Sequence, residues 1–150
     1  VVNKVFNMVN PDVTVFGEKD IQQLLMIQKM VRDLNMPINV IGLPTVREHD
    51  GLAMSSRNNY LSKDERAIAP LFNAVLRDLV DRIDSGESNY REMEAQALTE
   101  LQSLGFGKDY VEICQIDDFQ PAEQDDRGLI IVAAAWMGKA RLIDNIQLSM

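Results

Sequence analysis

"DVTVFGEKDIQQLLMIQKMVRDLNMPINVIGLP", residues 12–44, contains two strand-like segments with a helix-like segment between them. The first, "DVTVFG", is a short β-branched apolar run that stops at Gly17, a pattern typical of a buried strand. The second, "INVIGLP", has the same character. The residues between them place apolar side chains along one broad helical face, and Pro37 ends the helix. This order predicts a parallel βαβ crossover at the edge of a doubly wound α/β domain.

The ten residues at the start of the chain, "VVNKVFNMVN", have apolar side chains at helical spacing: Val2, Val5, Phe6 and Val9. No initiator methionine and no N-cap candidate come before them. We interpret this segment as the second half of a helix. We therefore expect the chain to be a fragment of a longer polypeptide.

The remainder of the chain predicts a second, smaller α+β domain. Residues 43–62 show no hydrophobic period, and a connection of this length is often functional. The capping-box sequence Ser62-Lys63-Asp64-Glu65 opens a helix predicted to run to about Ile83, and a second helix occupies about residues 90–104. We predict that these two helices pack on a three-stranded antiparallel sheet. Its strands are residues 109–117, 128–137 and 139–148.

The composition restricts the classes of partner. Hydrophobic residues make up 46% and charged residues 25% of the 150 residues, which is typical of a globular protein. The net charge of -8 argues against general nucleic-acid binding, and no apolar run is long enough to span a membrane. The single cysteine, Cys114, indicates a reducing compartment, which we take to be the cytoplasm. Together with the single histidine, His49, it leaves too few ligands for a zinc site, and we predict no metal ligands in this chain.

The first candidate site is "FGEKDIQQ", residues 16–23, at the junction of the first strand and the helix. Ligands of open α/β sheets bind at such strand ends, and a helix N-terminus attracts anions. Gly17 would admit a ligand to the backbone, Lys19 would add charge for a phosphate, and Asp20 would accept from ribose hydroxyls. Gln23, one turn on, would face the same cleft. An equally weighted alternative is that Asp20 and Gln23 form an ordinary capping box and that Lys19 is solvated.

The second candidate site is "MSSRN", residues 54–58, within the long connection. Two adjacent hydroxyl groups, their backbone N–H groups and an arginine are suited to a polyphosphate. Arg57 in particular suits the charge that develops on departing pyrophosphate. The residues alone favour the alternative of a turn that leads to a helix cap. We expect His49, in "REHDG", to face solvent.

Other conspicuous side chains are given structural roles. We expect the methionines of the first long helix and its end to be packing residues, namely Met26, Met30 and Met36. Trp136 is expected to lie in the core of the last sheet. Arg141 and Asp144, both on the last strand, are expected to pair across the sheet and receive no function.

The chain resembles the pantoate–β-alanine ligase family. The blocks that carry the resemblance are "FGEKDIQQLLMIQKMVRDL", "DGLAMSSRNNYLS" and the closing "AAAWMGKARLIDNIQL". The match runs over essentially the whole chain in order, and MSSRN is similar to the KMSKS loop of class I synthetase-like nucleotidyltransferases. The resemblance implies ATP-dependent ligation of pantoate and β-alanine through a pantoyl adenylate, with Mg²⁺ accompanying ATP. It also implies a homodimer assembled through the nucleotide-binding domain.

The resemblance assigns roles to individual residues. It makes Gln23 a hydrogen-bond partner of pantoate and brings the backbone of Val46 to the adenine. The expected catalytic residues are Lys19, Ser55, Ser56 and Arg57. The residues expected to bind ATP are Gly17, Glu18, Lys19, Asp20, Val46, Met54, Ser55, Ser56 and Arg57.

The resemblance also implies a domain organisation and exposes one departure. Residues 1–45 would be the C-terminal part of a Rossmann-like domain, 46–62 the phosphate loop and hinge, and 63–150 a C-terminal α+β lid. The family has an H-x-G-H motif near its N-terminus, which a chain with one histidine cannot contain. That motif and the metal ligands would lie upstream of Val1. We therefore expect the isolated chain to be inactive.

Two alternatives to this function stay open from the sequence. The chain could be a non-catalytic lid or oligomerisation module, or part of another class I synthetase-like nucleotidyltransferase. An upstream H-x-G-H motif would favour the ligase over both.

Overall fold

The computed structural model describes residues 1–148 of the chain. It contains two compact units, an N-terminal unit (Val1–Val46) and a C-terminal unit (Arg47–Met150). A parallel sheet lies in the first and an antiparallel sheet in the second, which confirms the predicted α/β class. The finer boundary predicted at residue 62 stays a prediction.

The N-terminal unit is the predicted βαβ crossover preceded by a helix. Its elements are α1 (Val2–Val9), β1 (Val13–Gly17), a 3₁₀ turn (Glu18–Asp20), α2 (Ile21–Asp33) and β2 (Asn39–Leu43). Strands β1 and β2 pair in parallel from Val13 opposite Asn39 to Gly17 opposite Leu43. The crossover therefore puts the carboxyl ends of both strands at one edge of the sheet.

The small sheet is covered on one face only, so the prediction of fully buried strands is wrong. Phe16 and Val40 pack against a core of Phe6, Ile27 and Val31 from α1 and α2. The alternate side chains on the strands are 40–52% exposed, because successive residues of a strand point to opposite faces. They are Val13, Val15, Ile41 and Leu43.

The methionines of this unit divide between packing and exposure. Met30 and Met36 pack against its core, as predicted. Met26 is 69% exposed, and the packing role predicted for it is wrong. The buried stripe of α2 runs through Leu24, Ile27 and Val31, at spacings of three and four residues that leave position 26 outside it.

The C-terminal unit has helices on an antiparallel sheet. Its elements are a 3₁₀ segment (Ser56–Tyr60), α3 (Lys63–Ile68), α4 (Leu71–Asp84), α5 (Tyr90–Ser103), β3 (Gly107–Gln115), β4 (Leu129–Met137) and β5 (Ala140–Leu148). The strand order is β3-β4-β5, with both pairs antiparallel, as predicted. None of the helices within residues 1–148 is long and apolar enough to cross a membrane.

The helix predicted from residue 63 to Ile83 is instead two helices. The chain turns at Ala69 and Pro70 between α3 and α4. Proline has no N–H to donate to the preceding helical turn, and its ring clashes with the carbonyl four residues before it. The described part of this unit therefore contains three α-helices where two were predicted.

The core of this unit lies between the sheet and α4 and α5. Alternate residues of β4 from Leu129 to Met137 lie in this core, together with Phe72, Leu76 and Leu79 of α4. Each such large side chain contributes roughly 1.5–3 kcal/mol when fully buried.

Trp136 is 43% exposed, so its predicted core position is wrong. The alternation of β4 puts it on the face opposite the helices. Its partners across the sheet are Gly107 and Arg141, and glycine has no side chain with which to cover the indole.

Candidate functional site

The first candidate segment occupies the carboxyl end of β1. Gly17 is the last strand residue, and nothing lies within 4 Å of the position that a Cβ atom would take there. Glu18, Lys19 and Asp20 then form a single 3₁₀ turn before α2 begins at Ile21. The backbone at Gly17 is therefore open to the approach of a ligand.

The capping alternative for this segment is wrong. Asp20 occupies the N-cap position of α2, but its side chain makes no capping hydrogen bond. The first turn of α2 contains no acidic residue, and Gln23 within it is exposed. The N-terminal N–H groups of a 13-residue helix thus lie beside one cation, Lys19, and two carboxylates, Glu18 and Asp20.

A glycine on β2 makes room for Glu18, and the sequence analysis did not single it out. A Cβ atom at Gly42 would lie 2.9 Å from Leu24 Cδ2 and 3.0 Å from Glu18 Oε1. The only sequence signal was the glycine in "INVIGLP", because glycine inside a strand often marks the close approach of another group.

The second candidate segment follows a tight loop at the start of the C-terminal unit. Arg47 and Ala53 form an isolated antiparallel bridge, and Glu48 N–H donates to the Leu52 carbonyl at 2.8 Å. Gly51 turns the chain with a φ of 92°, which glycine adopts without strain. Leu52 and Ala53 are buried, so the loop is anchored in the core immediately before residue 54.

Arg47 is held by a buried carboxylate. Its Nη1 and Nη2 donate to Asp144 Oδ2 at 2.7 Å and Oδ1 at 2.9 Å, a bidentate pair. Asn73 Nδ2 donates to the same Oδ2 at 2.9 Å. The pairing expected between Arg141 and Asp144 is therefore wrong. Residues three apart on one strand point to opposite faces, and Arg141 Nε instead donates to Asp109 of β3 at 2.6 Å.

The MSSRN segment itself is exposed and lightly held. Ser55 caps the 3₁₀ segment, and its Oγ accepts from Arg57 N–H at 3.2 Å. Met54, Ser56 and Arg57 are exposed, and Arg57 Nη1 donates to the Arg141 carbonyl over a long 3.4 Å. Asn58 Nδ2 donates to the Ala53 carbonyl at 3.2 Å, and its buried Oδ1 has no hydrogen-bond partner among residues 1–148. The exposed Ser56 hydroxyl and Arg57 guanidinium are thus available to an anionic ligand.

The predicted capping box closes the far end of this segment. Glu65 N–H donates to Ser62 Oγ at 3.2 Å, and Ser62 N–H donates to Glu65 Oε2 at 2.7 Å. The Glu65 side chain lies against Gly138 in the turn between β4 and β5. The cap is therefore attached to the sheet as well as to its own helix.

The nearby titratable side chains have structural partners or face solvent. Arg66 Nη1 donates to Asp50 Oδ2 at 2.6 Å, and this bond lowers the pKa of the Asp50 carboxyl. His49 is exposed, as predicted. Within residues 1–148, no three His, Cys, Asp or Glu side chains gather to hold a metal ion.

The structure thus places the predicted residues in two groups. Gly17, Glu18, Lys19, Asp20 and Gln23 lie together at the end of β1 in the N-terminal unit. Val46 ends that unit and is 66% exposed. The remaining predicted residues, Met54, Ser55, Ser56 and Arg57, lie together in the C-terminal unit.

Comparison with known proteins identifies the chain. The family model described as Pantoate-beta-alanine ligase matches residues 1–147. The chain belongs to the pantoate-beta-alanine ligase family. The pantothenate synthetase of Alkalilimnicola ehrlichii is 54% identical over 150 residues, which are 100% of this chain and 52% of that protein. The pantothenate synthetase of Pseudomonas entomophila is 52% identical over 148 residues, which are 99% of this chain and 52% of that protein.

Solved structures of this family have the same fold. The pantothenate synthetase of Thermus thermophilus superposes with a TM-score of 0.89 at 40% identity, over 97% of this chain and 52% of that one. The ligase of Francisella tularensis, in complex with β-γ ATP and β-alanine, gives a TM-score of 0.70 at 27% identity, over 97% of this chain and 47% of that one. The chain spans about half the length of the relatives it matches.

Proposed function

We propose that this chain is the C-terminal half of a pantothenate synthetase, which joins pantoate to β-alanine with the consumption of ATP. The observation that carries the proposal is the exposed MSSRN segment, with two hydroxyl groups and a guanidinium, in a chain of this ligase family. A relative whose structure contains β-γ ATP and β-alanine supports it.

The proposed role of residues 54–57 is to bind the phosphates of ATP as a KMSKS-like loop. Ser55 and Ser56 offer hydroxyl and N–H donors, and Arg57 stabilises the charge that develops on pyrophosphate as it leaves. The hydrogen bond from the Arg57 guanidinium to the Arg141 carbonyl is 3.4 Å long. A phosphate would therefore displace a weak hydrogen bond and gain a charge-assisted one.

The proposed role of the β1 end is to bind the rest of the substrates. The open backbone at Gly17, the Lys19 ammonium and the uncapped end of α2 suit an anionic group. We assign Glu18 and Asp20 to ATP, Gln23 to pantoate and the backbone of Val46 to adenine. These assignments follow the position of each residue in the family blocks.

The proposed reaction has two steps. A carboxylate oxygen of pantoate attacks the α-phosphorus of ATP, and the bond to the bridging oxygen breaks to release pyrophosphate. The amine of β-alanine then attacks the acyl carbon of pantoyl adenylate, loses a proton and releases AMP. Catalysis of the first step rests on positioning and charge stabilisation, so no protein base is required.

The proposal extends to the metal, the assembly and the compartment. Mg²⁺ would enter with ATP, and its protein ligands are expected outside this chain. We propose a cytoplasmic homodimer. The H-x-G-H motif would lie outside this chain, so the 150 residues alone are expected to lack ligase activity. Robust turnover by the isolated chain would contradict this expectation.

Pyrophosphate exchange in the full-length protein tests the proposal. We expect labelled pyrophosphate to enter ATP only when pantoate is present. Lys19→Ala and Arg57→Ala should each slow exchange roughly ten- to hundredfold, since a charge-assisted hydrogen bond contributes about 1.5–3 kcal/mol. The matched controls are Lys108→Ala and Arg127→Ala, which remove cations outside both segments.

Each outcome of this experiment has a separate meaning. Exchange without pantoate would assign the chain to another nucleotidyltransferase, and an inert wild-type protein would leave the non-catalytic module as the better account. Normal exchange in both the Lys19 and Arg57 variants would refute the residue assignments alone.

A further inference from the structure

A buried carboxylate holds the loop that leads into the MSSRN segment. The Asp144 side chain is 1% exposed and the Arg47 side chain 21% exposed. Asp144 accepts both guanidinium bonds from Arg47, a third bond from Asn73 and a fourth from its neighbour Asn145 N–H at 2.8 Å. Arg47 and Asp144 are 97 residues apart in sequence, so the pair joins the loop to the middle of β5.

The guanidinium transmits this anchorage to the loop. Arg47 Nη1 also donates to the Gly51 carbonyl at 3.1 Å, and the Arg47 backbone bridges Ala53. One planar group therefore fixes the two sides of the loop relative to each other and to the sheet. The loop ends at Ala53, so residue 54 starts from an anchored position.

A buried ion pair is a weak way to add stability, because desolvation of both charges offsets much of their attraction. Apolar side chains of similar volume would serve the core at least as well. The bidentate pair provides a fixed orientation instead, since the guanidinium fork matches the carboxylate in one plane. That property is useful where the following residues must be placed accurately.

We propose that Arg47 and Asp144 are positioning residues that set the place of residues 54–57 for ATP. The inference rests on the proposed function of that segment. Ser56–Tyr60 contacts β5, and the segment is bounded by the Arg47 pair at one end and the Ser62–Glu65 capping box at the other.

The test compares three variants of the full-length protein in pyrophosphate exchange. Arg47→Lys keeps the charge but loses the fork, and Asp144→Asn keeps the shape but loses the charge. Arg82→Lys is the matched control, because Arg82 makes a similar bidentate pair with Glu87 outside the loop. Hydrogen exchange of residues 52–58 is followed in the same proteins.

We expect Arg47→Lys and Asp144→Asn to raise the KM for ATP on the order of tenfold or more, since small misplacements of binding groups have large effects. The KM for pantoate should change less than about twofold, because Gln23, the residue assigned to pantoate, is not part of the loop that the Arg47 pair anchors. Amide exchange should accelerate at residues 52–58 and stay unchanged in α5 and β3, because the bonds to Asp144 involve α4 and β5, the partner strand of β4, instead. Arg82→Lys should leave the KM for ATP, the KM for pantoate and the amide exchange of residues 52–58 unchanged.

Three results would overturn the inference. One is an unchanged KM for ATP in Arg47→Lys, provided that the variant is folded and the wild-type protein is active. Another is equal effects on the KM values for ATP and pantoate. If the wild-type protein shows no pyrophosphate exchange, the proposed function fails. In that case, unchanged amide hydrogen exchange at residues 52–58 in Arg47→Lys would separately refute the anchorage of the loop by the Arg47–Asp144 pair. If Asp144→Asn does not fold, Arg47→Lys decides.

Discussion

Alanine in place of Gly138 should disrupt the capping box that ends the MSSRN segment. The new Cβ atom would lie too close to Glu65 Oε1 and 2.7 Å from Glu65 Cδ, which forces the carboxylate to move. Glu65 Oε2 then loses its 2.7 Å bond from Ser62 N–H, and half of a capping box is worth about 0.5–1 kcal/mol. Alanine at the φ of 56° observed for Gly138 costs about 1 kcal/mol more. The expected loss of unfolding free energy is about 2 kcal/mol.

Urea denaturation followed by tryptophan fluorescence measures this loss. The chain has one tryptophan, and Trp136 lies two residues before Gly138 in the C-terminal unit, so the signal reports that unit. The midpoint should fall by roughly 1 M, for a slope of about 2 kcal/mol per M.

A double-mutant cycle separates the two causes of the loss. In a Glu65→Ala background the contact with the carboxylate is absent, and Gly138→Ala should then cost only about 1 kcal/mol. Equal losses in the two backgrounds would refute the argument, because the effect would then come from the backbone conformation alone.

Three further perturbations have expected outcomes. Gly42→Ala should displace the Glu18 carboxylate, because Glu18 Oε1 lies 3.0 Å from the position of the new Cβ. We expect the β1–β2 pair to be destabilised by about 1–3 kcal/mol, and faster amide hydrogen exchange in both strands would show this. Burial raises the pKa of the Cys114 thiol to about 11, so alkylation at about pH 8 should be slow in the folded chain and fast in urea. The bond from Arg66 lowers the pKa of Asp50 below its ordinary 3.8, so the pair stabilises the fold above that pH and the stability is lost as pH falls through the lower folded value. Asp50→Asn should therefore reduce the dependence of the unfolding free energy on pH below about pH 4. Urea midpoints measured at several pH values check this, and the same pH dependence in the variant as in the wild type would contradict it.

Local sequence signals predicted most of the fold. The β-branched runs, helical periods and Ser62–Glu65 box act within a few residues, and the elements they predicted are present. The break at Pro70 was also a local signal, and it was overlooked within a continuous apolar period.

Two of the errors concern what lies across a sheet, which local patterns do not contain. The exposure of Trp136 depends on its neighbour being Gly107, which is set by strand register. The exposed face of β1 depends on which elements cover the sheet. The MSSRN segment is recognisable from its own residues, whereas the pairing of Arg47 with Asp144 spans 97 positions and has no local signal.

Transfer of a carboxylate oxygen from pantoate to AMP distinguishes the proposed pantoyl-adenylate route from other routes of ligation. The full-length protein would be supplied with ATP, β-alanine and pantoate that carries ¹⁸O in its carboxylate, and the products examined by mass spectrometry. An acyl adenylate predicts that AMP acquires one ¹⁸O in its phosphate, because the oxygen that attacked phosphorus stays there when the amide forms. Unlabelled AMP, or label in inorganic phosphate together with ADP, would contradict the account.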